Sequence, residues 1–527
     1  MSVSKRPQAA RSEAEPSEVE RGRREIGAVL RLLVAGVGVV YAVAFASLAV
    51  QIEGLVGADG ILPNARYFAA LAEHTAAGFL DAPSVCWGDG CGDALLVGLC
   101  LAGAAAGALL VIGCAPLPAA IVAWAAYLSL FHAGQAFLGF QWDLLLLEAG
   151  FLAILAVPPA AVSPRDPGWR APPRLPLWLF RWLLFRLMFA SGVVKLASGD
   201  PTWRDLSALT FHYETQPIPY FTSWWAHQLP EPVHRAATAA TLAIELCVPW
   251  LYAGPRRLRQ VGAAVTVAFM ALIGATGNYG FFNLLTAVLC LSLLDDDALP
   301  ARLRRWFAGG EGSEPSAGAV RVADPEPPAA RARCPVRLRA GVLAVVATFV
   351  IAASLLPLAS AFGAAGWVGP LARAYEWQRG LRITSPYGLF ATMTTRRPEI
   401  TVEGSDDGVV WRAYAFRYKP GDPLEAPRFA GPHMPRLDWQ LWFAALRGPE
   451  RSAWFHAFAQ RLLDGSPPVR ALLAQDPFPG APPRQLRAIV RDYRFSDLAT
   501  RRETGAWWEP GPPRLALVSG PAAPRTP

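Results

Sequence analysis

Lysine is nearly absent from this chain: only three of its 49 Lys and Arg residues are lysines, at Lys5, Lys195 and Lys419. Charged residues are also scarce, at 17% of the total against roughly a quarter in soluble proteins. The hydrophobic fraction is 53% and the mean hydropathy is +0.27. These values disfavour a soluble globular protein and indicate a membrane protein.

Patterns typical of metal, nucleic-acid and export functions are also missing. The seven cysteines form no CxxC pair, and the spacing of the three histidines in residues 201–235 matches no ligand motif. The net charge of +8 comes without a basic face interleaved with aromatics, so we expect no nucleic-acid partner, no metal and no cofactor. Residues 1–27 are polar and predict a disordered cytoplasmic N-terminus rather than a cleaved signal.

Nine apolar runs predict a polytopic α-helical membrane protein. The predicted spans are residues 32–50, 94–113, 117–136, 137–157, 175–197, 236–253, 261–276, 279–294 and 341–362. The third and fourth are nearly continuous, and the seventh and eighth are short. Eight of the spans form a membrane domain at residues 28–300, and residues 301–338 predict a flexible cytoplasmic linker before the ninth at 339–362.

Arginines cluster before the first span and in the connections around residues 165–174, 256–259 and 302–339. The connections 51–93 and 198–235 carry few basic residues. The positive-inside rule then predicts a cytoplasmic N-terminus and an extracytoplasmic C-terminus.

The remaining part of the chain, residues 363–515, changes composition and predicts an extracytoplasmic α+β domain. Residues 387–394, 399–404 and 409–417 alternate as strands do, with Ser405-Asp406-Asp407-Gly408 as a hairpin turn. Residues 437–446 and 453–463 have helical spacing, and residues 485–495 predict a further strand.

Ionisable residues within spans are costly and suggest function by default. Depth along the spans predicts a deep structural layer of Glu148, Glu245 and Arg186. It also predicts an outer cluster of His132, Asp143 and Lys195. Two interpretations of the outer cluster stay open: an Asp143–Lys195 ion pair with His132 nearby, or a pocket in which Lys195 acts as a base.

Aromatic and polar residues outside the spans are candidates for binding a client protein or a ligand. Three lie in the loop after the fifth span and three in the tail: Trp203, His212, Tyr213, Arg436, Asp438 and Trp439. An interfacial aromatic belt and a structural Arg–Asp pair with a buried Trp are the alternatives. In the first outer loop, CWGDGC brings Cys86 and Cys91 close enough in sequence for a disulfide, or leaves a free thiol pair.

Several of these motifs together resemble the lipase maturation factor family. They are FQWDLLLLEAGF at 140–151, FASGVVKL at 189–196, FHYETQP at 211–217, YKPG at 418–421 and PRLDWQ at 435–440. The resemblance implies a multi-pass protein that, in animals, resides in the endoplasmic reticulum and helps homodimeric lipases fold and assemble. The Arg- and Ala-rich composition resembles that of bacterial proteins, which implies the cytoplasmic (inner) membrane with the tail outside.

Spans three to five are also similar, more weakly, to the membrane domain of vitamin K-dependent gamma-carboxylases, which implies Lys195 as a base with His132 beside it. Three functions are therefore considered. The first is a maturation factor whose outer parts bind a secreted client, such as a lipase. The second is a membrane enzyme that acts on a quinone-like or lipid substrate through Lys195. A transporter is weakest, because no internal repeat is found. We favour the first, in which the partners are the bilayer and the client and no catalysis is needed.

Overall fold

The computed structural model describes residues 26–74, 78–164, 166, 169, 172–308, 336–362 and 369–520. Among these residues, seven helices are long and apolar enough to cross a membrane. The nine runs predicted as spans coincide with these seven and with two shorter helices. The helices at the nine positions are α1 (Gly27–Ala49), α4 (Asp93–Ile112), α5 (Pro116–Ala133), α6 (Gln141–Ala156), α7 (Leu175–Ala197), α11 (Glu231–Cys247), α12 (Arg256–Ala275), α13 (Phe282–Cys290) and α15 (Val336–Ala361).

Shorter helices fill the connections and the tail. They are α2 (Ile52–Val56), α3 (Asn64–His74), α8 (Pro201–Arg204), α9 (Ala208–Thr215), α10 (Phe221–His227), α14 (Ala301–Ala308), α16 (Gly369–Gln378), α17 (Arg436–Arg447), α18 (Ala453–Leu463), α19 (Pro467–Arg470) and α20 (Leu498–Thr504). Short 3-10 turns are at Gln135–Phe137, Val248–Ala253, Leu291–Leu293, Asp296–Ala298 and Pro449–Arg451. The predicted linker therefore begins with a helix, α14, while residues 309–335 and most of 1–27 lie outside the described residues.

Small residues allow the first helix to pack closely on its partner. Helix α1 packs mainly on α4, and a Cβ added at Gly38 would lie 2.7 Å from the carbonyl oxygen of Gly107. Close backbone approach through small residues is typical of packing between membrane helices. At the start of α1, the Asp296 carboxylate accepts the N–H groups of Ala28 and Val29 at 3.0 and 2.8 Å. That carboxylate satisfies backbone donors that the first turn of a helix leaves free.

The tail contains a five-stranded antiparallel sheet covered by helices. Its strands are β1 (Arg397–Ser405), β2 (Arg412–Ala413), β3 (Gln485–Phe495), β4 (Trp508–Pro510) and β5 (Arg514–Ser519). Strand β1 pairs with β2 and along its whole length with β3, whose other edge pairs with β4 and β5. The predictions of α17, α18, β1 and β3 are confirmed. The hairpin is confirmed only in part, because the strand predicted at 409–417 is limited to Arg412–Ala413 and the connection is longer than residues 405–408. The strand predicted at 387–394 is wrong, because that segment is irregular.

The tail packs directly on one end of the helix bundle. Its contacts reach the end of α1, the end of α5, the start of α6 and the loop that follows α7. The tail also contacts the connection between α12 and α13, where Asn278 donates to the carbonyl of Arg428 and accepts from the N–H of Ala430. Bundle and tail therefore share one continuous hydrophobic core.

Candidate functional site

A buried ion pair joins the start of helix α17 to the bundle. The Arg436 guanidinium donates to both carboxylate oxygens of Asp143, from Nη1 at 3.0 Å and from Nη2 at 2.7 Å. Nη1 also donates to the Phe137 carbonyl at 2.7 Å, and the Tyr127 hydroxyl donates to Asp143 at 2.5 Å. The side chains of Arg436 and Asp143 are 1% and 0% exposed. A bidentate pair of hydrogen bonds of this kind holds the guanidinium and the carboxylate in one relative orientation.

Local sequence explains how Arg436 reaches this position. Pro435 precedes the first turn of α17, and the backbone N–H of Arg436 donates to the Gln51 side-chain carbonyl at 3.0 Å. The amide nitrogen of Gln51 donates to the Ser47 and Met434 carbonyls. Burial alone would lower the pKa of Arg436, but the Asp143 carboxylate and the Tyr127 hydroxyl together outweigh it and the net shift of the pKa is upward. Arg436 is thus held charged against the bundle.

Asp143 therefore does not pair with Lys195, and that interpretation of the outer cluster is wrong. The Lys195 ammonium contacts Glu245 of α11 at 2.8 Å and lies 5.2 Å from the centre of the Trp203 ring. His132 contacts the Gly380 carbonyl at 2.8 Å instead of joining either pair. The position of a residue along its helix predicts its depth in the membrane but not the direction of its side chain. The direction in which each side chain leaves its helix separates the three residues into different contacts.

An inserted segment, residues 380–393, fills the space between helix ends. Within it, Tyr387 donates to the Glu148 carboxylate at 2.7 Å, and the Ser385 carbonyl accepts from Arg186 at 3.3 Å. Arg186 also forms a buried ion pair with Glu148. The predicted deep layer therefore reduces to the Arg186–Glu148 pair, which Tyr387 and Ser385 of the tail contact. Glu245 is not part of it and pairs with Lys195 instead.

The three candidates in the loop after α7 surround a cavity beside Lys195. Trp203 is 2% exposed, and its indole N–H donates to the Phe390 carbonyl of the inserted segment at 3.0 Å. His212 and Tyr213 are half-buried and line the same cavity, whose volume is about 160 Å³. Burial and the nearby Lys195 lower the pKa of His212 to about 4, so its imidazole is neutral at physiological pH. This geometry agrees with a ligand pocket.

The tail candidates are buried, which contradicts a direct contact with a client. Asp438 is 3% exposed and accepts the backbone N–H groups of Tyr418 and Lys419 at 2.8 and 3.0 Å. Trp439 is 4% exposed and packs edge-on against Trp142 with ring centres 4.7 Å apart. Arg436 and Trp439 thus fix the tail on the bundle, Asp438 fixes a loop within the tail, and all three are buried away from a partner.

A second buried group of charges, which lies in the tail and hydrogen-bonds to the loop after α7, was missed from the sequence. Glu399 of β1 lies 2.6 Å from Arg397 and 3.1 Å from Lys419. Arg397 also donates to the carbonyls of Glu214, Gln216 and Pro217 in the loop after α7. A signal was present: two charged residues at positions i and i+2 of a strand share one face, and Lys419 is one of three lysines.

In the connection between α3 and α4, the sulfur atoms of Cys86 and Cys91 are bonded to each other. Asn64 fixes the second cysteine, since its side chain donates to the Cys91 carbonyl and accepts the Cys91 N–H. Among the described residues, no group of three or more His, Cys, Asp or Glu side chains is arranged to hold a metal ion.

The fold and these contacts define a class: a multi-pass helical membrane protein whose C-terminal sheet domain is fixed to one end of the bundle by a buried ion pair and by buried hydrogen bonds from arginine. Comparison with protein families identifies it further. Residues 29–301 match the lipase maturation factor transmembrane domain, and residues 383–511 match the lipase maturation factor C-terminal domain. The chain belongs to the lipase maturation factor family.

Curated relatives cover most of the chain. Lipase maturation factor 2 of Gallus gallus is 37% identical over 90% of this chain and 79% of its own length. Lipase maturation factor 2 of Homo sapiens is 36% identical, with 91% and 80% covered. Lipase maturation factor 1 of Mus musculus is 32% identical, with 90% and 84% covered. No solved structure gives a significant match.

Proposed function

We propose that the chain is a membrane-embedded maturation factor for secreted proteins such as lipases, in which the bundle anchors the tail and the tail contacts the client. Similarity to curated lipase maturation factors over about nine-tenths of the chain carries this proposal. The buried Arg436–Asp143 pair supports it, because that pair holds the tail at one end of the bundle. The client is a secreted protein that reaches the tail on that side of the membrane.

The proposed topology has nine spans, a cytoplasmic N-terminus and an extracytoplasmic tail, in the inner membrane of a bacterium. Arginine clusters in alternate connections support this orientation. The contacts of the tail also support it, since they involve the end of α1, the end of α5 and the start of α6, which share one side when successive helices alternate in direction.

A surface on the tail fits the role of client contact. Val409 and Val410, in the connection between β1 and β2, are 79% and 57% exposed, and Val518 of β5 is 56% exposed. These three valines, here named the valine edge, lie at the same end of the sheet, because Ser405 pairs with Gln485 and Val518 pairs with Arg487. Within the described residues β3 is the strand partner of β5, so the outer edge of β5 can pair with an extended segment.

The double variant Val409→Asp/Val410→Asp tests this surface. The turn itself is held by the Asp407 carboxylate, which accepts the backbone N–H groups of both residues at 2.8 Å and is untouched by side-chain changes. We expect active secreted lipase to fall about tenfold or more, because burying two valines in an interface contributes a few kcal/mol. The measurement is lipase activity in the medium of cells that co-express a secreted lipase and each variant at equal membrane abundance.

Leu498→Asp is the matched control. Leu498 is 40% exposed and begins α20, which follows β3 at the opposite end of the sheet. We expect wild-type secretion from this variant. Unchanged secretion with Val409→Asp/Val410→Asp would exclude the valine edge as the client surface.

A further inference from the structure

The cavity beside Lys195 has no part in the proposed contact with the client. It lies between α7, α11, α12 and the inserted segment, and its walls are mostly apolar. The apolar lining includes Ala237, Ala240, Ile244, Phe269, Leu272 and Ile273. A second cavity of about 60 Å³ adjoins it and shares Lys195, Glu245, Tyr279 and Phe390.

The rim of the cavity includes residues on the outer surface of the helix bundle. Ala240 on α11 and Leu272 on α12 line the cavity and are exposed, Leu272 to 62%. Helix α11 packs mainly on α7 and α9, whereas α12 packs equally on α13 and on the 3-10 turn Val248–Ala253. Since both residues line the cavity and are exposed, the cavity reaches the protein surface between α11 and α12 at Ala240 and Leu272.

The hydrogen bonds at the inner end fix the chemistry that the cavity offers. The Gln216 amide nitrogen faces the carbonyl oxygens of Tyr213 and Thr276, which can only accept, so the side-chain oxygen of Gln216 accepts from the Tyr279 hydroxyl at 2.9 Å. The single hydroxyl proton of Tyr279 is thereby used. The contact of 3.1 Å between Tyr279 and His212 must then run from the Nε2–H of His212 to the Tyr279 oxygen.

A neutral His212 protonated at Nε2 carries a lone pair on Nδ1. This atom is buried and has no hydrogen-bond partner among the described residues. A buried acceptor without a partner costs free energy, which a ligand that donates a hydrogen bond would recover. His212 lines the cavity, so this acceptor lies at its wall, whereas both oxygens of the lining Glu245 carboxylate lie 2.8 Å from the Lys195 ammonium.

The charges around the cavity favour an uncharged ligand. Lys195 is already neutralised by Glu245, and the Trp203 ring covers the ammonium group. A further charge placed here would be taken out of water without a counter-ion, which is strongly unfavourable. A head group with a hydroxyl and no charge can donate to Nδ1 of His212 and also avoids the cost of burying a further charge.

We propose that this cavity binds a membrane lipid with an uncharged, hydroxyl-bearing head group, whose hydroxyl donates to Nδ1 of His212 and whose chain leaves between Ala240 and Leu272. A cavity of about 150 Å³ holds a molecule the size of benzene. The 160 Å³ found here therefore takes the head group and the first part of the chain, and the remainder lies in the bilayer.

Photo-crosslinking tests the proposal with the full-length protein in phosphatidylcholine nanodiscs. The probe is a diacylglycerol that carries a diazirine and an alkyne in one acyl chain, and its comparison probe has the free hydroxyl methylated. We expect labelled peptides from α11 and α12, and several-fold more labelling by the hydroxyl probe, since one hydrogen bond contributes about 1 kcal/mol. Ala240→Trp, which fills the opening, abolishes most of this labelling.

Ala243→Trp is the matched control, because Ala243 is exposed on the same helix and does not line the cavity. It retains wild-type labelling. His212→Phe keeps an aromatic ring but removes the acceptor, so both probes are expected to label this variant equally.

Equal labelling of wild type by both probes would overturn the proposed head-group contact. Equal labelling of Ala240→Trp and wild type would show surface lipid only and overturn the site. Neither outcome depends on lipase secretion, so failure here leaves the proposed maturation role separately testable.

Discussion

Arg436→Met is expected to destabilise the protein by about 3–5 kcal/mol, because it leaves the Asp143 carboxylate buried without its counter-charge. Arg436 also satisfies the Phe137 carbonyl, so the substitution removes more than one hydrogen bond. The tail loses its ionic attachment to the bundle as a result. Limited proteolysis and thermal unfolding of the detergent-solubilised protein measure the effect as early cleavage of the tail and a lower Tm.

Two further variants separate loss of the ion pair from general disturbance of α17. Arg447→Met changes an exposed arginine in the last turn of the same helix and is expected to stay within about 0.5 kcal/mol of wild type. Arg436→Met/Asp143→Leu removes both charges, and part of the stability returns because no unpaired charge remains. If Arg436→Met were as stable as wild type, that result would contradict the claim that this ion pair attaches the tail.

Lys195→Met is expected to reduce the stability of the folded protein strongly, because it leaves the Glu245 carboxylate within a span without its counter-charge. An uncompensated charge at such a position costs about 2–4 kcal/mol, so we expect a strong fall in the amount of folded protein in the membrane. Fluorescence-detected size exclusion of a fusion measures that amount. Lys195→Met/Glu245→Leu recovers part of it, since it removes both charges.

Lys195→Arg distinguishes a structural cation from a titrating base. The adjoining cavities give a guanidinium room, and its charge maintains the contact with Glu245. We expect near-normal folding and lipase secretion from this variant, because arginine stays protonated and still pairs. Normal folding combined with abolished secretion would contradict a structural role and return Lys195 to the candidates for a base.

Much of the bundle could be predicted from composition and run length alone. An apolar run of about twenty residues must form a helix in lipid, which placed α1, α4, α5, α7 and α12 within a few residues of their observed bounds. Alternation and helical spacing likewise placed β3 and α18 in the tail. These features depend on local sequence, which is why local patterns were sufficient.

The pairing of charges could not be predicted in the same way. Asp143 and Arg436 are 293 positions apart, and no local pattern joins a residue in a span to one in the tail. Residues 387–394 were predicted as a strand because Tyr387 and Leu389 occupy alternate positions on either side of Gly388. In the structure their side chains pack between helix ends. The alternation therefore arises from burial against the bundle and not from strand pairing.

Site-specific photo-crosslinking during lipase secretion tests the central claim, that the tail contacts the client through the valine edge. A benzophenone amino acid replaces Val409 in one variant and Leu498 in another, and cells that co-express a secreted lipase are irradiated while the lipase is being exported. The account predicts a covalent adduct with the lipase from position 409 and none from position 498. Adducts of equal strength at both positions, or none at 409 while the lipase still depends on the protein for activity, would contradict it.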